Sequence, residues 1–253
     1  MELLRRPSRA SIMFAVMGIA LIIAGTTAIV ASQEDSKYPW HTNIVSTTFW
    51  VGEIHDASAS DGSQVFSTYD SRWMESYGGC DGVLTADGCA TERRVAENDY
   101  FPSSMTPLQN PFYLDLPFDD VNNPEAFARR GTVIPWAAAE AADNPALLTS
   151  DRHSFMKNRW VKLKKGSAVC YGQIQDAGPA VYNDSAYVFG SDDRRPASTE
   201  YNGAGLDVSP ALNGCLGYEN LDGAEDRVDW QFVDAEDVPD GPWRRIVTTS
   251  QVQ

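Results

Sequence analysis

Four cysteines are the residues whose chemistry is easiest to place: Cys80, Cys89, Cys170 and Cys215. The histidines are three in number: His41, His55 and His153. None of the cysteines forms a CxxC pair, and their spacing relative to the histidines supplies too few well-spaced ligands for a zinc site. The sequence therefore predicts two disulfides, with neither a metal nor another cofactor.

Four cysteines can pair in three ways. We favour Cys80 with Cys89 and Cys170 with Cys215, because an Asp-Gly turn signal lies beside each cysteine of the first pair. A bridge that closes so short a loop stabilises the fold by about 2 to 3 kcal/mol in the chain-entropy model.

The elements that must position these residues are mainly strands. Seven short segments, rich in aromatic and β-branched residues, have the length and composition of strands. They are 49–54, 64–69, 111–116, 159–163, 167–174, 186–189 and 228–233. Lys164-Lys165-Gly166 predicts a hairpin turn. A closed barrel is expected, because closure removes the edges of many short strands.

Helical signals are few. Residues 135–142 are rich in alanine and short. Ser209 and Pro210 supply an N-cap followed by proline at the first helical position, and Gly214 is expected to end that helix. The predicted fold class is mostly β with short helices.

Residues 1–32 have the features of an export signal or a membrane anchor. Three arginines precede an uncharged and largely apolar stretch over 11–32. Cleavage after Ala31 or Ser32 and retention as an anchor both stay open, because the stretch is about long enough to cross a bilayer. In either case everything after Gln33 lies outside the cytoplasm. The sequence thus predicts an extracellular protein, secreted or anchored, with membrane contact only through this segment.

The charge of the chain is strongly acidic and unevenly placed. The net charge is −15, and the first 32 residues hold three arginines and one glutamate, which leaves 17 basic and 34 acidic residues in the remainder. Binding to nucleic acid is excluded, since it depends on Lys and Arg at phosphates. Residues 33–47 are polar and are predicted to form a tether. The folded domain is expected over 48–253.

The order of motifs between 159 and 233 resembles the double-psi β-barrel of bacterial expansins, rare lipoprotein A and the family 45 endoglucanases. Residues 171–176, YGQIQD, resemble the barrel strand that ends in Asp. Residues 203–212, GAGLDVSPAL, resemble the G-x-LDLSP-A stretch, and 228–233, VDWQFV, the closing strand. Residues 67–70, STYD, resemble the first strand.

This resemblance covers about a third of the chain directly. Residues 110–117 and 237–243 are also similar to uncharacterised exported proteins with the same barrel. The resemblance implies a six-stranded double-psi β-barrel, in which residues 119–158 form a long insertion.

The same resemblance implies which carboxylates are catalytic. In these families the Asp at the position of Asp207 is the general acid or, in expansins, the residue required for wall loosening. A protonated acid needs a raised pKa, which the negative charge of Asp176 would favour. Asp70 is the candidate base, which an inverting hydrolase places about 6.5 to 9.5 Å from the acid.

Each of these carboxylates also has a structural alternative. Asp207 lies two residues before Ser209 and is placed to cap the short helix. Asp176 is placed to close a turn with residues 177–179. Asp70 is an ordinary strand-end carboxylate in an acidic protein under this reading.

Aromatic residues supply a second indication of function, because sugar rings lie flat on indole and phenol faces. The chain has seven Trp and ten Tyr. Those predicted to bind substrate are Tyr69, Trp73, Trp160, Tyr187 and Tyr201. Packing in the core or at the rim is the alternative for each of them.

Together these features predict an exported expansin-like protein that binds, and loosens or cleaves, cell-wall or other β-linked polysaccharide. If it is an enzyme, it is a glycoside hydrolase or a lytic transglycosylase. Its acidity favours a neutral polysaccharide or a salt-adapted host. The alternatives are a non-catalytic extracellular interaction module on the same barrel and an inverting endoglucanase.

Overall fold

The computed structural model describes residues 36–58, 62–221 and 223–253. The predicted signal or anchor, 1–32, lies outside the described residues. Within them, none of the helices has the length and apolar character needed to cross a membrane. Residues Ser36–Gln253 form one compact unit.

Eight strands are present among the described residues. They are β1 (His41–Thr48), β2 (Val83–Thr85), β3 (Gly88–Ala90), β4 (Tyr113–Leu116), β5 (Trp160–Lys165), β6 (Ala168–Ala177), β7 (Leu206–Val208) and β8 (Asp226–Val233). Six of them close into a barrel in the order β1-β7-β4-β6-β5-β8, while β2 and β3 form a separate hairpin.

The helices are short. They are α1 (Trp73–Tyr77), α2 (Pro124–Val133), α3 (Ala137–Glu140), α4 (Ser185–Val188) and α5 (Pro210–Leu216). Ser209 caps α5 by accepting a hydrogen bond from the backbone N–H of Leu212, and Pro210 occupies the first turn. The longest helix, α2, begins in the same way, with Asn123 as its cap and Pro124 in its first turn.

Strand β4 lies between β7 and β6 in the barrel. It pairs in parallel with β6 and in antiparallel orientation with β7. All four of its residues are buried, because the wall is covered on both faces. A polar side chain on β4 is therefore held in the interior.

The insertion 119–158 carries α2 and α3 and is organised around one buried arginine. Arg130 is 0% exposed and donates to five backbone carbonyls, those of Asp120, Leu147, Leu148, Ser150 and His153. The guanidinium thus has hydrogen-bond partners on every side. These bonds tie the turns of the insertion to one another.

Several predictions from the sequence are confirmed. The fold is mostly β, with a closed six-stranded barrel and short helices. The disulfides are Cys80–Cys89 and Cys170–Cys215. The hairpin turn between β5 and β6 contains Gly166 with a φ of 58°, a conformation that glycine adopts without strain.

Other predictions are corrected. Segments 49–54 and 64–69 are turns joined by isolated bridges, and 186–189 lies in α4, which Asp184 caps. The range 33–47, predicted as a tether, contains most of β1. Its polar residues misled because His41 and Ser46 are themselves buried, so polarity did not mark this segment as solvent-exposed.

Helix α5 also continues past Gly214 and ends at Gly217. At Gly214 a Cβ would lie 2.6 Å from the carbonyl oxygen of Arg94. This glycine therefore allows a close backbone approach and does not end the helix.

Candidate carboxylate site

Three aspartates lie side by side on adjacent strands of the barrel. Asp207 is on β7, Asp115 on β4 and Asp176 on β6. Asp115 and Asp176 are partners in the register of β4 and β6. The backbone N–H of Asp207 donates to Oδ1 of Asp115 over 2.9 Å. The barrel order β7-β4-β6 thus brings the three carboxyl groups together, with Asp115 in the middle.

The three side chains differ in accessibility. On β7 the flanking Leu206 and Val208 are buried, and Asp207 between them points the other way and is half-buried. Asp115 and Asp176 are 3% and 6% exposed. Asp207 is therefore the least buried of the three residues.

The neighbours of Asp176 fix its carboxylate. Its Oδ1 accepts hydrogen bonds from the backbone N–H of Thr68, at 2.7 Å, and from that of Ala177, at 2.8 Å. Asp176 thus holds the turn of residues 67–70 against the end of β6. Of the turn predicted over 177–179, Asp176 binds only the N–H of Ala177, since that of Gly178 donates to the carbonyl of Leu116.

Asp207 is held from the opposite side. Its Oδ1 accepts a hydrogen bond from the hydroxyl of Thr47, its partner in the parallel register of β1 and β7. The capping role that the sequence left open for Asp207 belongs instead to Ser209. Asp207 is thereby free of a role in the helix.

A glycine makes room for the central carboxylate. A Cβ on Gly178 would lie 2.6 Å from Oδ2 of Asp115, inside the contact distance of any real side chain. Gly178 follows the end of β6 directly. The backbone after β6 can therefore pack against the buried carboxylate only because this residue has no side chain.

Burial raises the pKa of all three carboxyl groups, and neighbouring carboxylates add to this effect at Asp115 and Asp207. Burial, together with the charges of Glu53 and Asp176, raises the pKa of Asp207 to about 8. Burial is the main cause that raises the pKa of Asp176 to about 7. Burial, then the charges of Asp207 and Asp176, raise the pKa of Asp115 well above its ordinary value. No ion pair with a cation offsets this among the described residues.

This arrangement holds protons near neutral pH. A carboxylic acid with a pKa near the working pH is suited to donate a proton to a leaving oxygen. Asp207 combines such a pKa with access from solvent. Burial, followed by the charges of Glu53 and Asp176, favours its protonated form.

Among the described residues, no group of three or more His, Cys, Asp or Glu side chains is arranged to hold a metal ion. Comparison of the chain with protein-family models, curated proteins and solved structures found no match. The assignment of this site therefore rests on its geometry and its electrostatics.

Asp70, the predicted base, lies in the turn of residues 67–70, where it forms an isolated bridge with Ser67. It is 1% exposed, and its Oδ1 accepts the backbone N–H of Arg72. The carboxylates that act on Asp207 are Glu53 and Asp176. Asp70 instead lies near Lys157. Burial lowers the pKa of this lysine to about 8, although the negative charges of Asp70 and Asp176 act to raise it.

The predicted aromatic residues are mostly in the core. Tyr69, Trp73 and Tyr187 are no more than 1% exposed, so their rings are not available to a sugar in this structure. Sequence proximity to a motif did not distinguish core rings from surface rings. Tyr201 is 55% exposed, and Trp160, at 6%, lines a cleft.

The sequence reasoning missed Asp115 and Glu53 as members of the site. Asp115 did carry a signal, since it is the single charged residue within the apolar segment 111–116. A charge in the middle of a buried strand requires a reason. Glu53 had no comparable signal, because it lies in a turn that reaches Asp207 only through the tertiary fold.

Proposed function

We propose that this chain is an exported double-psi barrel protein that binds β-linked polysaccharide and cleaves its glycosidic bonds, with Asp207 as the proton donor. The observation that carries this proposal is the cluster of three carboxyl groups, none of which forms an ion pair with a described residue, and in which the least buried member has a pKa of about 8. A fold gains no stability from such a cluster at neutral pH, which favours a catalytic role.

The proposed reaction is an acid-catalysed cleavage. The Asp207 carboxyl group transfers its proton to the glycosidic oxygen while the bond from that oxygen to the anomeric carbon breaks. A water molecule, or a hydroxyl group of the same sugar, then bonds to the anomeric carbon. The proton that this nucleophile loses returns to Asp207, which restores the starting state.

Other properties of the chain support the compartment and the substrate class. The two disulfides point to an oxidising environment outside the cytoplasm. The acidic chain, with a net charge of −15, disfavours anionic polymers and so favours a neutral polysaccharide.

The test measures product release from soluble β-glucan, cellulose, chitin and peptidoglycan, by reducing ends and by mass spectrometry of soluble products. Asp207→Asn should lower the rate at least about 100-fold, as the loss of a general acid does. The exposed Asp240→Asn is the matched control and should leave the rate unchanged. The wild-type rate should fall as the pH rises through about 8, because Asp207 then loses its proton.

A second candidate function, a binding module without catalysis, has one observation in its favour. Asp115 and Asp176 are nearly buried, and Asp176 holds two backbone N–H groups, as a structural residue would. Under this candidate, the wild-type protein sediments with insoluble polysaccharide but releases no product, and Asp207→Asn changes only stability. That result would refute cleavage.

A further inference from the structure

A cleft of about 530 Å³ lies between the insertion and the barrel. The insertion contributes Trp136, Ala139 and Glu140, and the barrel contributes the start of β5 and the end of β8. Its volume is in the range of small-molecule sites. The insertion thus adds a concave surface that the six barrel strands do not form by themselves.

Aromatic rings line the inner part of this cleft. Tyr38, Trp136 and Trp160 all contribute to its wall. Tyr38 and Trp136 meet edge to face, with ring centroids 5.7 Å apart. The guanidinium of Arg159 lies 4.7 Å from the ring centroid of Trp136 and pairs with Glu140. The wall is therefore held in place before any ligand binds.

The charged groups at the cleft are arranged as pairs. Arg159 pairs with Glu140, and Lys37 pairs with Asp234 over 2.5 Å. Lys157 also lines the cleft, and its Nζ donates to Oε1 of Gln175. Asp70 and Asp176 oppose the charge of this lysine. The cleft thus offers hydrogen-bond donors and acceptors with little net charge, which favours an uncharged ligand rich in hydroxyl groups.

One indole N–H of the cleft wall has no acceptor within the described part of the chain. Five of the seven indole N–H groups in the chain donate hydrogen bonds to other described residues. In the cleft wall, the indole N–H of Trp136 donates to the carbonyl of Phe155. Trp160 lines the cleft and is 6% exposed, and its indole N–H has no acceptor among the described residues. This N–H is not one of the fully buried unpaired atoms, so it keeps contact with solvent and can exchange that water for a ligand oxygen in the cleft.

We infer that the cleft binds a neutral oligosaccharide, with a sugar ring against its aromatic wall and a sugar hydroxyl accepting from the indole N–H of Trp160. The inference rests on the proposed function for its substrate class. It adds a second binding site, built by the insertion 119–158. Such a site would hold a polysaccharide while the carboxylate site acts on another part of it.

The experiment follows the indole N–H resonances of the full chain, labelled with ¹⁵N at tryptophan, during titration with cellopentaose and chitopentaose. Trp160→Phe identifies the Trp160 resonance by its loss. One of the two probes should shift this resonance saturably, and the same shift should persist in Asp207→Asn. Ala139→Trp, which places a ring in the cleft, should weaken this binding at least tenfold.

Ala138→Trp is the matched control, because Ala138 is equally exposed on α3 but does not line the cleft. It should leave the affinity unchanged. A Trp160 shift with glucuronate but with neither neutral probe would overturn the inference. Product release from polysaccharide without any Trp160 shift would also overturn it, while leaving the proposed function standing. A Trp160 shift without product release would support the cleft and refute cleavage.

Discussion

Asp81 and the carboxylate site differ in whether a described cation pairs with the carboxyl group. Asp81 is 0% exposed, and its Oδ1 accepts from Nη2 of Arg94 over 2.7 Å. Its Oδ2 accepts from the hydroxyl of Tyr113 over 2.8 Å. The carboxylate site instead gathers three aspartates, Asp115, Asp176 and Asp207, around which the described residues place no paired cation.

The difference separates a carboxylate that is neutralised by a cation from carboxyl groups that keep their protons. Burial raises the pKa of Asp81, while Arg94 and Tyr113 act to lower it. At the carboxylate site, each neighbouring carboxylate adds to the effect of burial. The first arrangement satisfies a buried charge, whereas the second retains protons at neutral pH at a cost to stability.

The largest effect on stability is expected from breaking the buried ion pair of Asp81 and Arg94. Arg94→Met leaves the carboxylate of Asp81 buried without its cation and should lower the free energy of unfolding by about 3 to 5 kcal/mol. Urea unfolding measures this change. The neighbouring, exposed Arg93→Met is the control and should cost less than about 1 kcal/mol. Equal losses in both variants would show that the buried pair has no special role.

A smaller effect of opposite sign is expected at the carboxylate site. The unfolded chain ionises Asp176 near its ordinary pKa of about 3.9, whereas the folded protein keeps the proton up to about 7. The free energy of unfolding therefore falls as the pH rises between these values. Asp176→Asn removes this pH-dependent loss of stability, and the amide oxygen can still accept hydrogen bonds from the backbone N–H groups of Thr68 and Ala177.

We expect Asp176→Asn to be more stable than the wild type at pH 9 by at least about 1 kcal/mol, and close to it at pH 4. Urea unfolding at both pH values gives the comparison. Asp81→Asn should instead destabilise the protein at pH 9, because it removes the charge that Arg94 pairs with. If both variants changed stability in the same direction, the contrast between the two groups would be wrong.

The smallest effect is expected from an ion pair in water. Arg72 and Glu75 form a pair over 3.4 Å, and both side chains are more than two-thirds exposed. Glu75→Gln should change the free energy of unfolding by less than about 0.5 kcal/mol. Thermal unfolding in low and high salt checks this value. A cost above 1 kcal/mol would show that solvent exposure does not explain why this pair contributes less to stability than Asp81 and Arg94.

Local signals predicted the fold better than the site. The strands β4, β5, β6 and β8, the cap at Ser209 and the Cys80–Cys89 loop each depend on neighbouring residues, and each was predicted. Segment 186–189 has strand composition but forms a helix, because its capping residue and its core contacts outweigh propensity.

The site depended on residues far apart in the chain. Asp115 and Asp207 are 92 positions apart, and only the pairing of β4 with β7 joins them. The burial of Tyr69, Trp73 and Tyr187 likewise follows from packing that no local pattern records. Asp70, similar to a family motif by sequence, was brought to Lys157 by the same packing.

The resemblance to a family motif made Asp176 and Asp207 candidates. By itself, the sequence determined the mainly β composition, the acidic charge and the favoured disulfide pairing. These follow from residue type and short spacing. Only the tertiary structure decided that Asp115 completes the carboxylate site and that the insertion forms a cleft. It also decided that Asp81 forms an ion pair, whereas none of the three clustered aspartates does so with a described residue. Burial and mutual charge set a pKa, and both are properties of the assembled barrel.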